Sequence, residues 1–152
     1  SLWTLDLETL EAQTWFDRPL TSGLISLSED GKWVAYHEFV QDRIEVFIRS
    51  FPDGEVVQRV SIDGGYAPQW SDGGEIFFAE GSRLMASRVH ERADGTVEVE
   101  RPQRIGVLSP TLSGTHPFDV APGGTRFLAI RAKYAAIGSS LRLVENWGDE
   151  GP

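Results

Sequence analysis

Apolar and polar residues alternate along this chain with a period of two, in short runs broken by clusters of Gly, Asp, Pro and Ser. Leu2–Leu7 alternates, Glu8–Glu11 turns, and Ala12–Phe16 supplies a second run. Leu24–Leu27, Trp33–Phe39, Ile44–Arg49 and Val56–Ile62 follow, punctuated by Asp30-Gly31, Gln41-Asp42, Pro52-Asp53-Gly54 and Asp63-Gly64-Gly65. Ala67–Trp70, Glu75–Ala79, Leu84–Val89 and Val97–Ile105 repeat the arrangement, and Thr115–Val120, Arg126–Ala132 and Leu141–Trp147 begin it again. Period-two alternation places successive side chains on opposite faces of a strand, while Asp caps the local backbone and Gly accepts positive φ in the turns between. Each run is therefore predicted as a strand, thirteen in all, with a very short hairpin at Gly81-Ser82. The longest helix-permissive piece, Ala132–Ile137, is too short to stand alone.

One segment recurs, a polar turn that opens into an aromatic strand. It reads Leu27-Ser28-Glu29-Asp30-Gly31-Lys32-Trp33-Val34-Ala35-Tyr36, then Trp70-Ser71-Asp72-Gly73-Gly74-Glu75-Ile76-Phe77-Phe78-Ala79, then Val120-Ala121-Pro122-Gly123-Gly124-Thr125-Arg126-Phe127-Leu128-Ala129. The marker glycines Gly31, Gly74 and Gly124 stand 43 and 50 residues apart, close to the ~40–50 of a four-stranded propeller blade. A sandwich or barrel also has many short strands, but has no reason to repeat one turn at this interval. The expected fold is all-β, a β-propeller fragment of about three four-stranded antiparallel blades plus a partial blade. The expected division is a half blade at 1–17, blades at 24–62 and 66–106, and an incomplete blade at 115–147.

Composition narrows what such a fold can do. A chain of 152 residues suits one domain with a sizeable core. Its net charge of −9, with 14 basic residues scattered among 23 acidic ones, argues against nucleic acid, which is met by clustered Lys and Arg. The absence of cysteine removes disulfides, thiolate nucleophiles and Cys-type zinc sites. No apolar run approaches the ~20 residues of a spanning helix. The chain opens without Met inside a strand, which predicts further polypeptide upstream and leaves the compartment open.

The recurring turns resemble the Ser-Pro-Asp-Gly turns of WD40-like, TolB-type β-propeller repeats. Glu45-Val46-Phe47-Ile48-Arg49-Ser50-Phe51-Pro52, Asp63-Gly64-Gly65-Tyr66-Ala67-Pro68-Gln69-Trp70-Ser71, Asp119 to Leu128 and the closing Val144-Glu145-Asn146-Trp147 are similar to the propeller regions that follow the kinase domain in some bacterial serine/threonine kinases. Glu29, Gly73, Ala121 and Gly123 depart from the usual turn. The resemblance implies a propeller and a bacterial setting; it implies no ligand, because such repeats serve unrelated functions.

Candidate chemistry is sparse. His37, His90 and His116 fall in different units, and none has a second ligand at metal spacing, so no metal and no cofactor is expected. Isolated Asp-Gly turns offer one or two oxygens each, against the ~6–8 that calcium needs. A nucleophile elbow, a phosphate loop and a dinucleotide fingerprint are all lacking, so no catalytic residue is assigned. Trp33, Trp70, Phe77, Phe78 and Phe127 recur at equivalent places and are expected to pack between blades. Trp3, Trp15 and Trp147 are expected to form an exposed apolar patch near the chain ends. Thirteen strands fall short of the ~16 of the smallest closed ring. Closure is expected either in trans, with Ala12–Phe16 of one chain completing the last blade of another in a homo-oligomer, or through further blades upstream. The function expected is a non-catalytic module binding protein or peptide at the ring face, with Tyr66, Gln69, His116 and Asp119 at the mouth of the channel. The alternative is an accessory sensor or gating propeller of a larger enzyme, either a bacterial kinase or a prolyl-oligopeptidase-like hydrolase.

Overall fold

A computed structural model of the protein describes residues 1–17, 24–93, 96–108, 117–131 and 140–144. Among them there is no helix. Fourteen strands build four antiparallel sheets that follow the chain in order. A hairpin joins β1 (Leu2–Leu5) to β2 (Ala12–Phe16). The first full blade is β3 (Ile25–Leu27), β4 (Trp33–Val40), β5 (Arg43–Ser50) and β6 (Val57–Arg59), each paired with the next. The second blade comprises β7 (Tyr66–Trp70), β8 (Glu75–Glu80), β9 (Arg83–Glu91), β10 (Val97–Val99) and β11 (Gln103–Val107). The third comprises β12 (Phe118–Val120), β13 (Phe127–Arg131) and β14 (Ser140–Val144). His116 and Trp147 lie outside the described residues.

The three recurring segments fold alike. In each, the marker glycine donates its N–H to the carbonyl three residues back: Gly31 to Ser28 at 2.9 Å, Gly74 to Ser71 at 3.3 Å and Gly124 to Ala121 at 3.1 Å. The glycines take φ of 71°, 74° and 65°, a left-handed conformation that costs other residues roughly 1–2 kcal/mol. The repeat is thus a backbone requirement. Side chains supply the rest: Ser28 accepts the Trp33 N–H and donates to Asp30, and Asp30 accepts the Lys32 N–H.

Four departures from the alternation in the sequence have a clear local reason. β1 stops at Leu5 because the Asp6 carboxylate accepts the N–H groups of Glu8 and Thr9, both at 2.8 Å, and turns the chain. β6 stops at Arg59 because the N–H groups of Val60 and Ser61 both turn to the Val46 carbonyl, ending the regular ladder. β7 carries a register shift between Tyr66 and Gln69, with Ala67 at φ 52° followed by Pro68, which has no N–H to give. The run Val97–Ile105 is two strands, because Pro102 interrupts the ladder. Both pieces pair with β9, Val97–Val99 along its end and Gln103–Val107 along its start, so the fourth position of this blade is one broken edge. Among the described residues the strands therefore number fourteen, against the thirteen expected.

Blades stack face to face. Trp33, Val46, Ile48, Ile76 and Phe78 form one buried cluster between the first and second blades. Phe77, Leu84, Phe118 and Phe127 form another between the second and third. Phe77 and Phe127 meet edge to face at 4.8 Å, and each such side chain contributes about 1.5–3 kcal/mol on burial. Gly65 marks the closest approach in the first seam, where a Cβ would stand 2.7 Å from the Phe78 ring. The hairpin packs on the opposite face of the first blade. Phe16 lies 5.6 Å from Tyr36, the Arg49 guanidinium stacks over Phe16 at 4.5 Å, and the Trp15 indole donates to the Pro52 carbonyl. Trp15 is therefore packed and does not join an exposed patch with Trp3, which is 62% exposed.

Candidate functional site

Three of the four residues expected at the channel mouth lie on the first strands of the second and third blades, Tyr66 and Gln69 on β7 and Asp119 on β12. Tyr66 opens β7, half-buried, and its hydroxyl donates to the Gly81 carbonyl in the β8–β9 turn. Gln69, three residues on, points across the seam. Its amide donates to the Phe118 carbonyl at 2.9 Å and accepts the Val120 N–H at 3.2 Å, so it pairs with one edge of β12 as a neighbouring strand would. Asp119 lies between those two positions, exposed, with its carboxylate on the Val120 N–H. The structure thus brings Gln69 and Asp119 together on adjacent blades and leaves Tyr66 engaged toward the next hairpin.

A second place has no counterpart in the sequence reading. The turn ending β3 and the turn ending β7 stand side by side and enclose a cleft of about 180 Å³. Trp33, Trp70 and Val89 supply its apolar surface, and Glu29, Asp30, Asp72 and Glu91 its carboxylates. Lys32 spans two of these acids, 2.9 Å from Glu91 and 3.9 Å from Asp30. The Ser28 hydroxyl holds the Asp30 carboxyl below its ordinary pKa, and hydrogen bonding to Glu91 raises that of Lys32. The charges of Asp30 and Lys32 therefore persist at neutral pH. Each turn is local in the sequence, whereas their convergence depends on how the blades stack.

Several other polar groups are engaged within the fold, whereas among the described residues Arg49 Nε and Trp70 Nε1 are buried without a hydrogen-bond partner. His37 is 4% exposed on β4, and its Nδ1 accepts the Ala67 N–H from the next blade. Burial lowers its pKa. His90 meets Glu100 at 2.6 Å on the surface. The carboxylate of Glu45, 1% exposed, accepts from Ser61 and pairs with Arg43 and Arg59. Among the described residues no group of three His, Cys, Asp or Glu is placed to hold a metal ion. No helix among them is long and apolar enough to cross a membrane.

No family model matches the sequence, and no curated protein matches it significantly. Solved structures do. TolB from Acinetobacter baumannii superposes with a TM-score of 0.62 at 15% identity, over 95% of this chain and 35% of that one. A candidate TolB from Agrobacterium tumefaciens gives a TM-score of 0.51 at 20% identity, over 81% of this chain and 45% of that one. The chain has the β-propeller fold of these structures and spans less than half the length of either.

Proposed function

We propose that this chain is a non-catalytic β-propeller module that binds protein or peptide at its ring face, within a ring completed by further blades. The observation that carries this is the contrast between inner and outer faces of the stack. Both seams between full blades carry packed aromatic clusters, whereas Trp3 and Leu5 on the hairpin are 62% and 57% exposed and Leu128 on the third blade is 40% exposed. Exposed apolar side chains at the flank of a stack invite the next blade. The likeness to TolB structures over less than half of their length supports the same reading. On the ring face, Asp119 is exposed and Gln69 stands beside it from β7, with Tyr66 at the start of that strand and His116 proposed as the fourth contact. The blades fall at 1–17, 24–62, 66–106 and 115–147 in this scheme, and whether they are joined by a second copy or by upstream polypeptide defines two forms of it. The likeness of several segments to propellers that follow bacterial kinase domains makes an accessory role in a larger protein the finer version of this proposal.

Light scattering coupled to size-exclusion chromatography, run in parallel with pull-down, tests it. Association that weakens in Trp3→Ser and Leu5→Ser variants is expected. A stable, monodisperse monomer that captures no partner overturns the proposal.

A further inference from the structure

We propose that the cleft between the first and second blades accepts an arginine side chain from a partner protein, its guanidinium meeting Glu29 beside the Trp70 indole. This deepens the protein-binding reading above but is independent of how the ring is completed.

The cleft exists because one seam lacks a clamp that the next seam has. Between the second and third blades, both oxygens of the Asp72 carboxylate accept the Gly123 N–H, at 2.8 and 2.9 Å. There the turns lie so close that a Cβ on Gly124 would stand 3.3 Å from Ser71 and 3.4 Å from Phe77 of the neighbouring blade. In the first seam Glu29 occupies the place of Asp72, and Gly73 that of Gly123. The Gly73 N–H is instead taken by Ser71 of its own turn, and a Cβ on Gly74 would meet only Val89 of its own blade, at 3.7 Å. Among the described residues Glu29 has no hydrogen bond or ion pair, so an acid positioned for bonding across a seam is left facing the opening.

Size and charge select the occupant. At about 180 Å³ the cleft is smaller than the ~300–1,000 Å³ of small-molecule sites, which suits one side chain better than a cofactor. Its lining includes four carboxylates and no cationic residue. The chain's own Lys32 ammonium, seated between Asp30 and Glu91, shows that this rim takes a cation. Arginine suits the remaining acid better than lysine does, because a planar guanidinium bonds a carboxylate in a bidentate manner while stacking on an indole, and is more weakly hydrated.

Titration with the peptide acetyl-Gly-Arg-Gly-amide, followed through the Trp70 indole and the Gly73 and Gly74 amide resonances, tests the assignment. Saturable shifts are expected, with affinity reduced roughly two- to fivefold in Glu29→Gln and unchanged in Glu8→Gln, a carboxylate on the distant hairpin. The citrulline analogue, which keeps the shape and loses the charge, is expected to leave these resonances unmoved, and the lysine analogue to bind more weakly. Equal binding of the arginine and citrulline peptides, equal binding of the arginine and lysine peptides, equal loss in Glu8→Gln, or no saturable shift overturns the proposal. The oligomeric state measured by light scattering reports separately on ring completion, so failure of one reading is distinguishable from failure of the other.

Discussion

His37 illustrates how much a single buried side chain contributes to this fold. It lies on β4 with 4% of its surface exposed, and its Nδ1 accepts the N–H of Ala67, a residue held at φ 52° on the adjacent blade. Burial disfavours the charged imidazolium, so the folded-state pKa is depressed below the ordinary 6.5, and the neutral ring leaves Nδ1 to accept that bond. Below that value the unfolded chain binds a proton that the folded chain refuses. Stability is therefore full above about pH 6.5 and is lost as pH falls through the unfolded value toward the folded one. Urea unfolding between pH 7.5 and 5 is expected to show a decline that His37→Gln flattens, whatever the variant's absolute stability. That the imidazole sits mid-strand, between Tyr36 and Glu38, follows from the alternation. Its acceptor role does not, because Ala67 lies 30 residues away in the chain.

Among the elements, the outer strand of the first blade depends on a serine that the alternation pattern treated as one more polar position. Ser61 is 2% exposed; its hydroxyl accepts the Val46 N–H at 2.8 Å and donates to the buried Glu45 carboxylate. The hydroxyl thus replaces ladder bonds where β6 leaves its regular path. Ser61→Ala strands a buried donor and part of a buried charge together, at an expected cost of about 1–3 kcal/mol. Chemical denaturation should register this as a lower midpoint with unchanged slope. The turns were legible at this scale because their geometry is local, set by a glycine three residues from its carbonyl partner. The break in the second blade's outer strand was legible in principle from Pro102, which cannot donate to a ladder. Its consequence, two short strands on one long partner, depends on the length of β9.

For the whole molecule, stability resides in the seams. Phe77 is 2% exposed and contacts Phe127 from another blade at 4.8 Å, so its truncation removes packing from two sheets at once. Phe77→Ala is expected to cost about 3–5 kcal/mol and Phe77→Leu markedly less, a large share of the roughly 5–15 kcal/mol available to a domain. Thermal unfolding followed by near-ultraviolet circular dichroism reads both. The sequence by itself determined the strands, the turns and the blade interval, since alternation and glycine φ are properties of neighbouring residues. The tertiary structure alone decided which seam is clamped and which is open. The Asp72–Gly123 and Gln69–Val120 bonds each join residues 51 apart, and a contact at that distance is set by how two sheets stack, a geometry that no local pattern carries.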